Sequence, residues 1–126
     1  MFNRTAVIYY IPFFIIALVI FVLSILSSGR MTTFQFTDLL AVDKVGHFLA
    51  YGSLSFFYYF GVRRTQHRIP NRNEIFVIIA VCATYGVLLE LCQLYVFTSR
   101  SYEFADMIAN TLGAALGVMV ARLFWR

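Results

Sequence analysis

Long apolar runs separated by short polar gaps set the pattern of this chain. The first run, Ala6 to Leu26, follows Met-Phe-Asn-Arg. At about 1.5 Å of rise per residue it is long enough to cross a bilayer, and it exceeds the roughly 7 to 15 apolar residues of a secretory signal. It is expected as an uncleaved helix over about 6–26, bent where Pro12 interrupts it. A second helix is expected over about 44–62, entered through Asp43 and Lys44. It is the least apolar of the set, because His47, Ser53 and Ser55 fall within it. The stretch from Arg63 to Asn73 is basic, polar and broken by Pro70, the composition of a turn between two helices. A third helix is expected over about 75–97 and a fourth over about 106–124, joined by a polar loop containing Ser99, Arg100, Ser101 and Glu103.

Composition turns this pattern into a class. Of 126 residues, 61% are hydrophobic and 13% charged, more apolar surface than one soluble core of this length can hide. The reading is an all-α integral membrane bundle of four transmembrane helices, a single domain over 1–126 with the lipid bilayer as its solvent. Net charge is +4, but the basic residues lie in the gaps between apolar runs. They form no recognition surface, which argues against nucleic acid. Arg4, Arg63, Arg64, Arg68, Arg72, Arg122 and Arg126 fall on one side and Arg30, Lys44 and Arg100 on the other, so N- and C-termini are expected to be cytoplasmic. Trp125 and the tyrosines near helix ends suit the two interfacial belts. Cys82 and Cys92 stand ten residues apart in one run, about 15 Å along a helix and too far for a disulfide; both read as packing residues.

The candidate chemistry lies in polar residues at bilayer depth. Asp43, His47 and Tyr51 follow at intervals of four, so one face of the second helix carries a carboxylate, an imidazole and a phenol, with Tyr58 continuing the stripe. Glu90 and Gln93 share a face of the third helix above Gly86 and Ala83, small residues that admit a neighbour. Asp106 and Asn110 are four apart on the fourth helix, above a GxxxG step of Gly113 and Gly117. By helical rise all three patches fall in the outer half of the membrane. An ionisable group there costs about 2.5 to 3.5 kcal/mol, so His47 and Glu90 are expected to face one another or a wet cavity. The candidate catalytic residues are His47, Glu90, Asp43 and Asp106, with His47 as a proton carrier oriented by Asp43. Lys44, Tyr51, Gln93, Arg100 and Asn110 are the candidate substrate-binding residues, with Lys44, Arg100 and two helix N-termini suited to an anionic headgroup. Gly86, Gly113 and Gly117 are assigned to helix packing.

The same residues admit plainer roles. Asp43 and Asp106 each open an expected helix and suit N-caps, Arg100 offsets a helix dipole, and a Glu90, Gln93 and Asn110 network holds helices together. Asp43, His47, Glu90 and Asp106 are ligand types, but only one histidine is in reach and no HxxxH or HExxH spacing exists, so neither a metal nor a cofactor is assigned.

The stretch Asp43-Lys44-Val45-Gly46-His47-Phe48-Leu49-Ala50-Tyr51, then Gly86-Val87-Leu88-Leu89-Glu90-Leu91-Cys92-Gln93, then Arg100, Asp106, Asn110, Gly113 and Gly117, resembles the VanZ-like family of small bacterial membrane proteins. The resemblance covers about the last two thirds of the chain. It implies the bacterial cytoplasmic (inner) membrane, a role at the cell envelope, and a link to teicoplanin, the lipoglycopeptide with resistance to which the founding member is associated. The family pattern points to Asp43, His47, Tyr51, Glu90, Gln93, Arg100, Asp106 and Asn110. One departure is that Phe97-Thr98-Ser99 precede Arg100, where family members often carry a proline. The expected function is an outward-facing site for an anionic or lipid-linked envelope molecule. A non-catalytic scaffolding component and a small proton-coupled oligomeric transporter are the alternatives. Substrate, reaction and oligomeric state stay open in the sequence.

Overall fold

The computed structural model describes residues 4–27, 36–96 and 104–126. Every element among them is a helix: α1 (Arg4–Ile8), α2 (Ile11–Ser27), α3 (Phe36–Gln66), α4 (Arg72–Val96) and α5 (Phe104–Phe124). The first apolar run is therefore two pieces. Pro12 has no N–H to give the carbonyl of Ile8, where α1 ends. The chain crosses the break with three-residue turns, Tyr9 N–H to Ala6 O at 3.3 Å and Tyr10 N–H to Val7 O at 3.0 Å. The second helix also differs from expectation. It begins at Phe36, which puts Asp43 well inside α3 instead of at its N-cap.

Local chemistry sets the turn from α3 to α4. His67 follows α3 with φ 54°, the left-handed conformation that stops a helix. Asn71 and Glu74 then form a reciprocal cap: Glu74 N–H donates to Asn71 Oδ1 at 3.0 Å, and Asn71 N–H donates to Glu74 Oε2 at 2.7 Å. Arg68 closes the turn by donating twice to the Glu74 carboxylate, at 2.9 and 2.7 Å.

Partners along each pair of helices fix the topology. Lys44 meets Asp106, His47 meets Asn110, Ser55 meets Ala114 and Arg63 meets the Trp125 carbonyl, so α3 and α5 run parallel. Tyr85 reaches the Ala17 carbonyl at 2.6 Å and Gln93 the Ser24 carbonyl at 2.8 Å, so α2 and α4 are parallel to each other. Tyr10 stands against Gly61 and Phe13 against Tyr58, so α2 runs antiparallel to α3. Two buried layers stack along the bundle. Tyr51, Leu54, Cys82, Leu89 and Ala114 form one, with Ile20 against them; Tyr59, Val62, Ile78, Val118 and Ala121 form the other. Cys92 is exposed, so of the two cysteines only Cys82 packs in this core.

The tightest contact is between α3 and α5. A Cβ on Gly113 would fall on the Phe48 carbonyl, and one on Gly117 on the Gly52 carbonyl and the Ser55 hydroxyl. Ser55 donates to the Ala114 carbonyl at 2.8 Å across the seam. The GxxxG step of α5 thus meets a second small-residue step, Gly52 and Ser55, on α3. Ser53 faces outward and donates to the Leu49 carbonyl of its own helix at 2.9 Å. Two helices, α4 and α5, contain a stretch long and apolar enough to cross a membrane, and α2 is apolar but shorter.

Candidate functional site

The seam between α3 and α5 sets the polar residues above it. With α5 drawn onto Phe48 and Gly52, Asn110, one turn before Gly113, comes level with His47. Asn110 Oδ1 accepts a hydrogen bond from His47 Nδ1 at 3.0 Å. With the proton on Nδ1, Nε2 is the ring nitrogen that carries the lone pair. Tyr51, one turn below His47, lies nearly parallel to it, with 14° between ring planes and centroids 6.4 Å apart. Gly86 on α4 makes room for both partners. A Cβ there would stand 2.8 Å from Asn110 Nδ2 and 3.1 Å from Tyr51 Cε1.

Glu90, one turn beyond Gly86 on α4, completes the group. One ligand-type atom each from His47, Glu90 and Asp106 lies within 4.8 Å of the others. Asn110 is 1% exposed, Asp106 5% and Glu90 9%, so water reaches the group sparingly. Lys44 Nζ stands 3.6 Å from Asp106 Oδ1 with its side chain about a third exposed, which places the ammonium at the rim. Two carboxylates this close repel by about 3 kcal/mol at an effective dielectric of about 20. Lys44 supplies one positive charge against them.

The sequence-predicted residues divide accordingly. His47, Glu90, Asp106, Asn110, Lys44, Tyr51 and Gly86 come together. Gln93 does not join them: its amide donates to the Ser24 carbonyl at 2.8 Å and ties α4 to α2. Gly113 and Gly117 serve the α3–α5 seam. Arg100 and the side chain of Asp43 lie outside the described residues. Sequence reasoning missed Gly52 and Ser55, whose three-residue spacing of small side chains was the available signal, and Tyr85, whose hydroxyl donates to α2. The Asn110 amide nitrogen is buried with no hydrogen-bond partner among the described residues, and nothing in the spacing announces that.

A family model described as VanZ/LLP1 matches residues 2–125, extending the likeness through the first helix. No curated protein and no solved structure matches the chain.

Proposed function

The chain belongs to the VanZ/LLP1 family, and from that membership we propose a four-span protein of the bacterial cytoplasmic membrane whose polar end binds an anionic or lipid-linked envelope molecule from outside. The observation that carries this reading is the meeting of His47, Glu90 and Asp106, from three helices, within 4.8 Å and beside Lys44. Lys44 draws the anion to the rim. His47, held by Asn110 through Nδ1, exchanges a proton through Nε2, and Glu90 is the second carrier.

Four spans are supported by the surface of the bundle. Phe14, Ile15, Leu18, Leu23 and Leu26 of α2 all point away from the protein, and a soluble chain rarely exposes so continuous an apolar face. Of the polar groups that reduce the apolar character of α3, His47 and Ser55 turn toward α5, and Ser53 faces outward with its hydroxyl satisfied by the Leu49 carbonyl of its own helix. Arg63, Arg64 and Arg122 sit at the opposite end of the parallel α3 and α5, which supports cytoplasmic termini and an outward polar end. Teicoplanin susceptibility is the phenotype we expect this protein to alter.

A second reading has its own support. The Gln93 bond to Ser24 shows that one polar residue of the set serves helix packing, so His47, Glu90 and Asn110 are read in that view as glue for α3, α4 and α5. His47→Gln and Glu90→Gln separate the two. Under the first reading each variant accumulates normally and loses the envelope phenotype; under the second, abundance, stability in detergent and phenotype fall together. Normal abundance with full phenotype in both variants would end the chemical reading.

A further inference from the structure

We infer that His47, Glu90 and Asp106 form a binding site for a divalent first-row cation, of the zinc or manganese class. The inference shares the polar end with the function proposed above and rests on that reading for the side from which the ion enters; proton exchange by His47 and Glu90 then belongs to the ion-free site, and the ligand set stands on its own geometry. One imidazole nitrogen and two carboxylate oxygens within 4.8 Å of one another are the donor types such ions take. Around a tetrahedral ion with bonds of about 2.0 to 2.2 Å, ligand atoms stand about 3.3 Å apart. Rotamer adjustment of Glu90 and Asp106 spans the difference. Three protein ligands leave one coordination position for water or substrate.

Two observations beyond the cluster point the same way. Metal-bound histidines regularly donate their other ring N–H to an oxygen that fixes the tautomer. His47 Nδ1 does so to Asn110 Oδ1 at 3.0 Å, which leaves the Nε2 lone pair for a ligand role. The same Asn110 side chain is 1% exposed, and its amide nitrogen has no hydrogen-bond partner among the described residues. That donor suits a water or anionic oxygen carried by the ion. Lys44 Nζ stands 3.6 Å from Asp106 Oδ1 and is thus a competitor of the ion for that carboxylate. No linear motif announces the set, because its three ligands come from α3, α4 and α5.

The chain has two histidines, which makes the test direct. The full-length protein is labelled with ¹⁵N-histidine in lipid nanodiscs and titrated with Zn²⁺, and His67→Asn identifies the His47 signals. The expected result is a shift of His47 Nε2 that saturates at a single equivalent of zinc. Asn110→Ala should weaken binding by about ten- to a hundred-fold, and Glu90→Gln by at least as much. Lys44→Met should tighten binding, which a purely structural Lys44 would not do. A His47 Nε2 signal unmoved by zinc overturns the inference even if the variants fail to fold. Equal affinity in the wild type, Glu90→Gln and Lys44→Met overturns it too. If zinc does not bind while His47→Gln still abolishes the envelope phenotype at normal abundance, the cation site fails and the outward-facing function survives. If zinc binds as expected while His47→Gln leaves the phenotype intact, the cation site stands and the outward-facing function falls.

Discussion

Arg68 and Glu74 meet at the surface, in the turn between α3 and α4, through two contacts of 2.9 and 2.7 Å, and Glu74 exchanges a second pair of bonds with Asn71. At the far end of the same helices, Lys44 and Asp106 stand 3.6 Å apart and His47 and Asn110 share a bond of 3.0 Å, with Glu90 beside them. The turn satisfies its donors and acceptors in water, where an ion pair adds little stability and mainly defines geometry. The buried end gathers charge where each unmet group is costly, and it keeps an amide donor without a partner among the described residues. That one unmatched donor, beside three ligand-type side chains from three helices, is what favours a ligand at the buried end.

The largest expected effect separates the two regions outright. Gly117→Val puts a branched side chain on the Gly52 carbonyl and the Ser55 hydroxyl, and the backbone cannot yield there as a flexible side chain would. It should cost about 3 kcal/mol in a denaturant titration in detergent. It should also part His47 from Asn110 while leaving the Arg68–Glu74 turn intact, because that turn lies within the α3–α4 connection. Loss of protection from hydrogen exchange confined to α5 and the start of α3 is the measurement. Asn110→Ala comes next. It removes the acceptor of the His47 proton in a buried place, an expected cost of about 1 to 3 kcal/mol, and it should abolish the envelope phenotype beyond what the stability loss explains.

How much of this was legible in the sequence depended on whether a residue's role is local. Four-residue spacing put His47 and Tyr51 on one face of α3 and Asp106 and Asn110 on one face of α5, and the GxxxG step marked α5 for close contact. What the step touches was not legible. Ser55 reads as a polar interruption of an apolar run until Ala114 is seen to accept from it. Gln93 misled for a geometric reason: three residues on from Glu90 is about 60° around the helix, enough to turn it to α2 while Glu90 faces α3 and α5. Asp43 looked like an N-cap because the apolar run starts beside it, yet α3 begins at Phe36. Pro12 marked a disturbance in the right place, and its strength, a full interruption, depended on how the chain packs.

The remaining predictions sharpen the picture of the turn as ordinary structure. His67 has φ 54°, a conformation that costs a non-glycine residue about 1 kcal/mol. His67→Gly should raise stability by up to about 1 kcal/mol, less whatever the freer unfolded chain takes back, and should leave the envelope phenotype unchanged.

The smallest effect concerns Glu74, which stands in the polar cap before the apolar stretch of α4 opens at Ile75. The Arg68 side chain, and after it the Asn71 backbone N–H, hold its carboxyl down at about 2. A carboxylate whose folded value is depressed contributes stability in full above its unfolded value of about 4.5, and loses it as pH falls from there toward 2. Glu74→Gln should therefore lower the wild-type melting temperature slightly at neutral pH and flatten its decline between about pH 4.5 and 2. Added salt should shrink the neutral-pH difference, because the pair is exposed. The His47 signals should be the same in this variant as in the wild type. If Glu74→Gln moved them, the two ends of α4 would be coupled, and the contrast between a turn of ordinary structure and a buried cluster suited to a ligand would have to be replaced by one continuous network along the helix.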